Sequence, residues 1–356
     1  MSAPRELVWT RLRAAALVEG ELPAASEASS PWFVRAMLGI AGWIGALFLL
    51  GFVAVGFAVI VRSAGALLVV GTLACAAATV VFRLLPRGDF ASQFALAVSL
   101  AGQAMMAVAL YELLRAPASG GQVAAFAVAV QQALLFALVP NFVHRVWTAW
   151  TASLAALLAL GAGFAGFAPA LASAAFVAVS LREFDHARQA TLVRAAAYGL
   201  ALTTVHFVVM PHLLVSAWLW GPAFPGGAAR GNAWLEAAAC GAVLLVAVLA
   251  ILRREGVAPG SGPGRSALGG ALVLALVALK APGVAAATVV LLAGYANANR
   301  VLAGLGVLAL IAYLSYYYYS LQATLLEKAA LLGAAGLAVL AARFALQRWW
   351  PQAADA

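Results

Sequence analysis

Four polar side chains stand in the middle of long apolar runs: Gln103, Gln131, Gln132 and His206. A buried amide or imidazole at membrane depth is a functional candidate by default, because hydrocarbon offers it no partner. Gln103 lies on the run before the one that holds Gln131 and Gln132, so an amide pair between antiparallel neighbours is one expectation. The competing role is packing glue, worth about 0.6–2 kcal/mol per interhelical hydrogen bond. His206 has Met210 one turn later and His212 beyond Pro211. A spacing of six turns the two histidines about 120° apart around a helix, so they form no chelating pair. His206 then either bonds to a neighbouring helix or handles a proton, its ordinary pKa being near neutrality.

A second group sits at the ends of apolar runs. Glu112, His212, Arg230, Glu236, Lys280, Tyr317, Tyr318, Glu327 and Lys328 all fall at such ends. If the runs are spans, these residues share the outer level and could line a polar vestibule. They could equally be polar because helix ends meet water. Glu327 also has a local reason to exist. Thr324-x-x-Glu327 spells a capping box, in which the Thr hydroxyl and the Glu carboxylate each satisfy an orphan amide of a helix start.

Familiar catalytic patterns are missing. Gly161-x-Gly163-x-x-Gly166 matches the dinucleotide fingerprint by letters, but no strand precedes it, and the fingerprint requires one. No Walker loop, HExxH pair or GxSxG elbow occurs. Cys75 and Cys240 lie inside apolar runs, without metal or disulfide spacing. The expectation is a chain that is not an enzyme and needs no cofactor or metal.

The elements that would position these residues follow from composition. The 356 residues are 65% hydrophobic and 9% charged, with a net charge of +9, and mean hydropathy is +1.01. A soluble domain is about 45–50% apolar and about 25% charged. The chain is therefore expected to be an all-α, polytopic transmembrane bundle in a lipid bilayer. Its basic residues orient spans rather than bind nucleic acid, since no basic run is interleaved with aromatics.

Two domains are expected: a cytoplasmic segment over 1–31, with an interfacial helix from Arg5 to Val18, and a membrane domain over 32–350. Apolar runs mark spans at Ala36–Val61, Ala64–Phe82, Phe90–Leu113, Gln122–Val139, Trp147–Phe164, Gly166–Leu181, Ala195–Val215, Ala233–Leu252, Ser266–Leu279, Gly283–Tyr295, Val301–Tyr319 and Leu325–Leu346. With both termini inside, sixteen of the 21 Lys and Arg fall in inner loops, as the positive-inside rule requires. Lys280-Ala281-Pro282 breaks one stretch into two short halves. These are either two short spans or a re-entrant hairpin, which is tolerated only where protein or water surrounds it. The longest outer loop, Trp218 to Asn232, carries Trp218 and Trp220 as interfacial anchors.

Several motifs together resemble a known family. They are Gly20-Glu21-Leu22-Pro23, Pro31-Trp32, Gly42-Trp43, Ser99-Leu100-Ala101-Gly102-Gln103, Asn299 to Gly306, Tyr316 to Ser320, and Thr324-Leu325-Leu326-Glu327-Lys328. In this the chain is similar to a bacterial polytopic membrane family known only as a domain of unknown function. The resemblance implies a bacterial inner-membrane location and a companion membrane protein bearing a GDYxxLxY motif. Many members carry Ser after the Lys, where this chain has Ala329, so no role of that hydroxyl transfers. Nothing in the sequence sets an oligomeric state.

Three functions compete. A secondary transporter or permease would use the broken stretch at Lys280 and the outer vestibule, but it lacks an acid at the midplane. A non-transporting subunit would dock a companion at the outer face through Trp218, Trp220 and the tyrosines. An intramembrane enzyme acting on lipid-linked material would need a nucleophile and base that the sequence does not display.

Overall fold

The computed structural model describes residues 3–15, 18–22, 32–56, 63–85, 89–115, 120–183, 185, 189–209, 233–320 and 324–327, with 329, 333, 337, 340 and 344. Among them no strand occurs, and helices account for nearly all residues. They are α1 (Ala3–Ala14), α2 (Trp32–Gly56), α3 (Ala64–Leu84), α4 (Asp89–Leu114), α5 (Gly120–Leu138), α6 (Phe142–Ala159), α7 (Ala168–Ser180), α8 (Ala190–Val209), α9 (Ala233–Arg254), α10 (Gly262–Ala278), α11 (Pro282–Ala296) and α12 (Arg300–Ser320). The all-α architecture expected from composition is what the chain adopts.

Seven helical stretches are long and apolar enough to cross a membrane: Ala64–Leu84, Asp89–Leu114, Gly121–Leu138, Gly163–Ser180, Ala190–Val209, Ala233–Arg254 and Arg300–Ser320. Large apolar side chains such as Phe48, Leu73, Phe126, Val246 and Leu308 are more than half exposed on the outside of the bundle. Soluble proteins do not present such a surface, whereas lipid accepts it. The chain is a multi-pass membrane protein.

Local chemistry sets the helix ends. Ser63, Asn141 and Ser261 cap α3, α6 and α10, each side chain accepting from the amide three residues on. Proline opens α7, α10 and α11 within the first two positions, where a missing N–H costs nothing. The long stretch from Thr148 to Leu181 resolves into α6, a 3-10 turn over Ala162–Phe167, and α7. Gly161 enters that turn at φ 82°, a left-handed conformation that glycine adopts without strain. The glycines of the apparent dinucleotide motif therefore serve a reversal between helices.

The broken stretch at Lys280 forms an antiparallel hairpin of α10 and α11. It runs along its neighbour α9 from the middle of that helix to its end. Gly241, nine residues into α9, meets Ala275 near the end of α10. Arg254 at the end of α9 donates to Asn297, just past the end of α11. Gly283 at the start of α11 meets Tyr313, far along α12. A 17-residue helix extends about 25 Å at 1.5 Å per residue, which approaches the ~30 Å hydrocarbon thickness.

Packing divides the bundle into two groups of neighbours. On one side α4 packs against α2, α3 and α5, and α5 against α6. On the other, α7, α8, α9, α10, α11 and α12 enclose a core around Phe176, Leu244, Val289, Val290 and Leu302. Helix α6 joins them, packing on α5 and on α8. The α3–α4 crossing is tight: a Cβ on Gly71 would lie 2.6 Å from the Gly102 carbonyl oxygen, and one on Gly102 2.7 Å from that of Gly71. Small residues permit such contacts, on which helix association in lipid depends.

Candidate functional site

The buried polar groups gather along α6. Its 18 residues fall outside the seven span candidates because His144, Arg145, Trp147, Thr148, Trp150, Thr151 and Ser153 interrupt the apolar pattern. Asn141 fixes its start by accepting from the His144 amide at 3.0 Å. The cap places the His144 side chain on the first turn, fully buried against α4.

There His144 meets two residues one turn apart on α4. Ser99 Oγ lies 2.9 Å from His144 Nε2. Gln103 Nε2 donates to Ser99 Oγ at 3.1 Å and stands 3.1 Å from the same ring nitrogen. An amide nitrogen only donates, so in this arrangement Nε2 accepts and the imidazole proton sits on Nδ1. Phe82 closes the group, its ring edge-on to the imidazole at 5.8 Å. The Cys75 thiol donates to the Ser99 carbonyl oxygen at 3.6 Å. Among the described residues His144 Nδ1 and Gln103 Oε1 are buried without a hydrogen-bond partner. An orphaned buried polar atom costs about 1–3 kcal/mol. An unmet donor and an unmet acceptor in one cluster match a bridging water or a small polar solute.

Polar contacts continue along the helix. Thr151 Oγ1 donates to Gln132 Oε1 on α5 at 3.0 Å. Ser153 and Thr203 share a short hydroxyl–hydroxyl bond that ties α6 to α8. Trp150 stacks edge-on against His206 of α8, with ring centres 5.9 Å apart, and its indole nitrogen is buried without a partner. Gln131 Nε2 reaches the Met106 sulfur on α4 at 3.5 Å, while its Oε1 is orphaned. Apart from Gln131, which joins α5 to α4, these groups form a string of imidazole, amide, hydroxyl and indole side chains on the faces where α6 meets α4, α5 and α8.

Of the intramembrane residues singled out by sequence, all but Gln131 fall on this string, with different partners from those expected. Gln103 makes no amide pair with Gln131 or Gln132. It bonds Ser99 and His144 instead, because α6 supplies the side chain that faces it. His144 and Ser99 are the functional candidates that sequence reasoning missed. Beside Arg145, His144 reads as loop. The signal for Ser99 was its i, i+4 spacing from Gln103, which places both on one helix face.

Among the described residues the vestibule candidates stand on both groups of helices. Glu112 is exposed and pairs with Arg115 at 2.9 Å. Glu236 is half-buried at the start of α9, its carboxyl filling the space above Gly166. Lys280 is exposed on the α10–α11 turn. Tyr317 stacks on Tyr313 at 6.3 Å, and Tyr318 meets Tyr319 edge-on at 5.5 Å. Helix α4, carrying Glu112, lies in one group of neighbours, and Glu236, Lys280 and the tyrosines lie in the other. Thr324 and Glu327 make the reciprocal cap: the Thr324 amide donates to Glu327 Oε2 at 2.8 Å, and the Glu327 amide to Thr324 Oγ1 at 3.3 Å. His212, Arg230 and Lys328 lie outside the described residues, as do Trp218 and Trp220. Among the described residues no group of three or more His, Cys, Asp or Glu could hold a metal.

At the other end of the bundle, polar groups bind loops together. Asn297 Nδ2 donates to the Ser180 carbonyl oxygen at 2.8 Å and its Oδ1 accepts from Arg254. Arg194 Nε donates to the buried Glu183 at 2.6 Å. Tyr198 donates to Asn299 Oδ1 at 2.9 Å, which also caps α12 by accepting from the Val301 and Leu302 amides.

A family model described as Domain of unknown function (DUF4401) matches residues 31–349, and the chain belongs to that family. No curated protein and no solved structure matches it.

Proposed function

We propose that this protein is a bacterial inner-membrane carrier, crossing the bilayer twelve times with both termini cytoplasmic, whose polar path follows α6. The observation that carries the reading is the buried string from His144 through Gln132–Thr151 to Ser153–Thr203 and His206, with orphaned polar atoms on Gln103, Gln131, His144 and Trp150. Polar groups buried at membrane depth are expensive, and a path for a proton or small polar solute is what commonly retains them. His144 supplies a buried imidazole that can pass hydrogen bonds along the path, in span interiors that lack an acid. The path lies where the two helix groups meet, the place where rocking of one group on the other would expose it alternately to each side. In this reading the Lys280 hairpin is scaffold, since all of α11 from Gly283 to Val290 is buried among apolar neighbours.

The test is flux in proteoliposomes. With a pH dye enclosed and a potassium diffusion potential imposed, the protein should conduct protons, or take up a member of a panel of amino acids, sugars and organic anions. His144→Ala and Gln103→Leu should abolish that flux. Vesicles indistinguishable from protein-free ones across the whole panel would overturn the reading.

A second reading has its own support. Tyr319 is 78% exposed and Tyr316 40% exposed at the outer end of α12. Such a patch suits a docked companion membrane protein, and the chain would then be a non-transporting subunit. Co-purification from mild detergent extracts tests this, and a monodisperse chain without a companion counts against it.

A further inference from the structure

A cleft of about 600 Å³ opens at the end of the bundle where α9, α11 and α12 meet. Ile251, Leu292 and Ala303 form its apolar wall, and Tyr295, Glu255 and Arg300 bring polar groups to it. Tyr295 is 81% exposed, an aromatic placed as membrane-interface tyrosines are. Glu255 and Arg300 are both exposed and no ion pair within 4.0 Å joins them. Among the described residues Arg300 has no ion-pair partner, and Glu255 has one long contact, at 3.9 Å, to Arg254. The nearby helix start needs no anion, because Asn299 already caps it.

We propose that this cleft binds the headgroup of a membrane phospholipid carrying both a phosphate and a primary ammonium, of the phosphatidylethanolamine type. Arg300 takes the phosphate through its planar fork of donors. Glu255 takes the ammonium, whose N–H groups a carboxylate accepts directly. The acyl stems descend along Ile251, Leu292 and Ala303. On the cleft wall Arg300 and Glu255 are one cation and one anion, Arg254 being engaged with Asn297 and the Ala296 carbonyl oxygen; the pair matches a zwitterion, and a purely anionic headgroup would meet Glu255 as a like charge. A trimethylated headgroup has no N–H to give that carboxylate. The apolar wall and the exposed tyrosine select the membrane lipid over soluble phosphoethanolamine, which shares the same two charges. The site is independent of the path along α6.

Native mass spectrometry of the full chain in detergent tests this with three lipids of matched acyl chains. Phosphatidylethanolamine should bind at least tenfold better than phosphatidylcholine or phosphatidylglycerol. Arg300→Ala should lower its binding about tenfold, and Glu255→Gln should erase the preference over phosphatidylcholine. Ala303→Leu, which fills the wall without touching a charge, should weaken binding and keeps the test open if Arg300→Ala does not fold. Equal binding of the three lipids to the wild-type chain would overturn the proposal. So would full displacement by soluble phosphoethanolamine, which would make the ligand a free phosphate ester.

Discussion

Gly199 is where α8 presses on α6, and adding a side chain there tests how the two helix groups are joined. A Cβ at Gly199 would collide with Ala149 Cβ and lie 2.7 Å from the Trp150 amide nitrogen. Comfortable non-bonded separations are about 3.5–4.0 Å, so the helices must part by nearly 1 Å. Overpacking of this kind costs about 1–3 kcal/mol. One turn along, the separation stretches the Ser153–Thr203 bond, and an interhelical hydrogen bond in lipid is worth about 0.6 kcal/mol on average. Gly199→Ala should therefore destabilise the protein by about 2–3 kcal/mol, and Gly199→Val by more. The assay is thermal unfolding in detergent, followed by the loss of the monodisperse peak. Gly269→Ala is the control, since a Cβ there meets nothing within 4 Å. It removes the same backbone entropy and should be neutral or slightly stabilising. If Gly199→Ala unfolds with the control, α6 and α8 do not cross as described, and the continuity of the polar string across them is lost.

Other substitutions report on separate parts of the fold. Ala298 is the one described non-glycine residue with positive φ, at 50°, in the turn that ends α11. Helices favour glycine at that position, so Ala298→Gly should stabilise by about 1 kcal/mol in the same thermal assay. Asn297→Ala removes the donor to the Ser180 carbonyl oxygen and the acceptor for one Arg254 nitrogen, and should destabilise by about 1–3 kcal/mol. His144→Phe strands the Ser99–Gln103 pair and should cost about as much, whereas Gln103→Leu removes an orphaned acceptor and should be milder; equal losses would argue against the orphan. Cys75 and Cys240 are both buried, so a maleimide should label neither until the bundle unfolds.

Much of the fold was legible because lipid makes hydropathy a strong signal. The ends expected for the span Ala64–Phe82 fall within two residues of α3, and those for Phe90–Leu113 within one residue of α4. The start of α6 was missed by five residues, since Trp147 looks like an interface and His144-Arg145 like a loop. Helix α6 can begin earlier because neighbouring helices, not lipid, receive its polar side chains: Arg145 Nε donates to the Phe136 carbonyl oxygen at 3.2 Å. The candidate site was only half legible for the same reason. Gln103, Gln132 and His206 announced themselves as polar letters in apolar runs. Their partners depend on which helices become neighbours, and periodicity carries no record of that. Residues expected at one level need not stand on adjacent helices either: Glu112 is on α4 and Glu236 on α9, in different groups of neighbours.

The enclosure of α11 has a consequence for how the chain is made. Ten of its 15 residues are buried, and α12 supplies one of the walls, through Leu302, Ala309 and Tyr313. While the ribosome has delivered only residues up to Asn299, that wall does not exist, and the side of α11 that faces Leu302, Ala309 and Tyr313 stands uncovered. Until α12 emerges, α11 has only α7, α8, α9 and α10 to cover it, and α12 then closes the side left open. Completion of this half of the bundle is therefore a late event in synthesis, set by the arrival of a single helix.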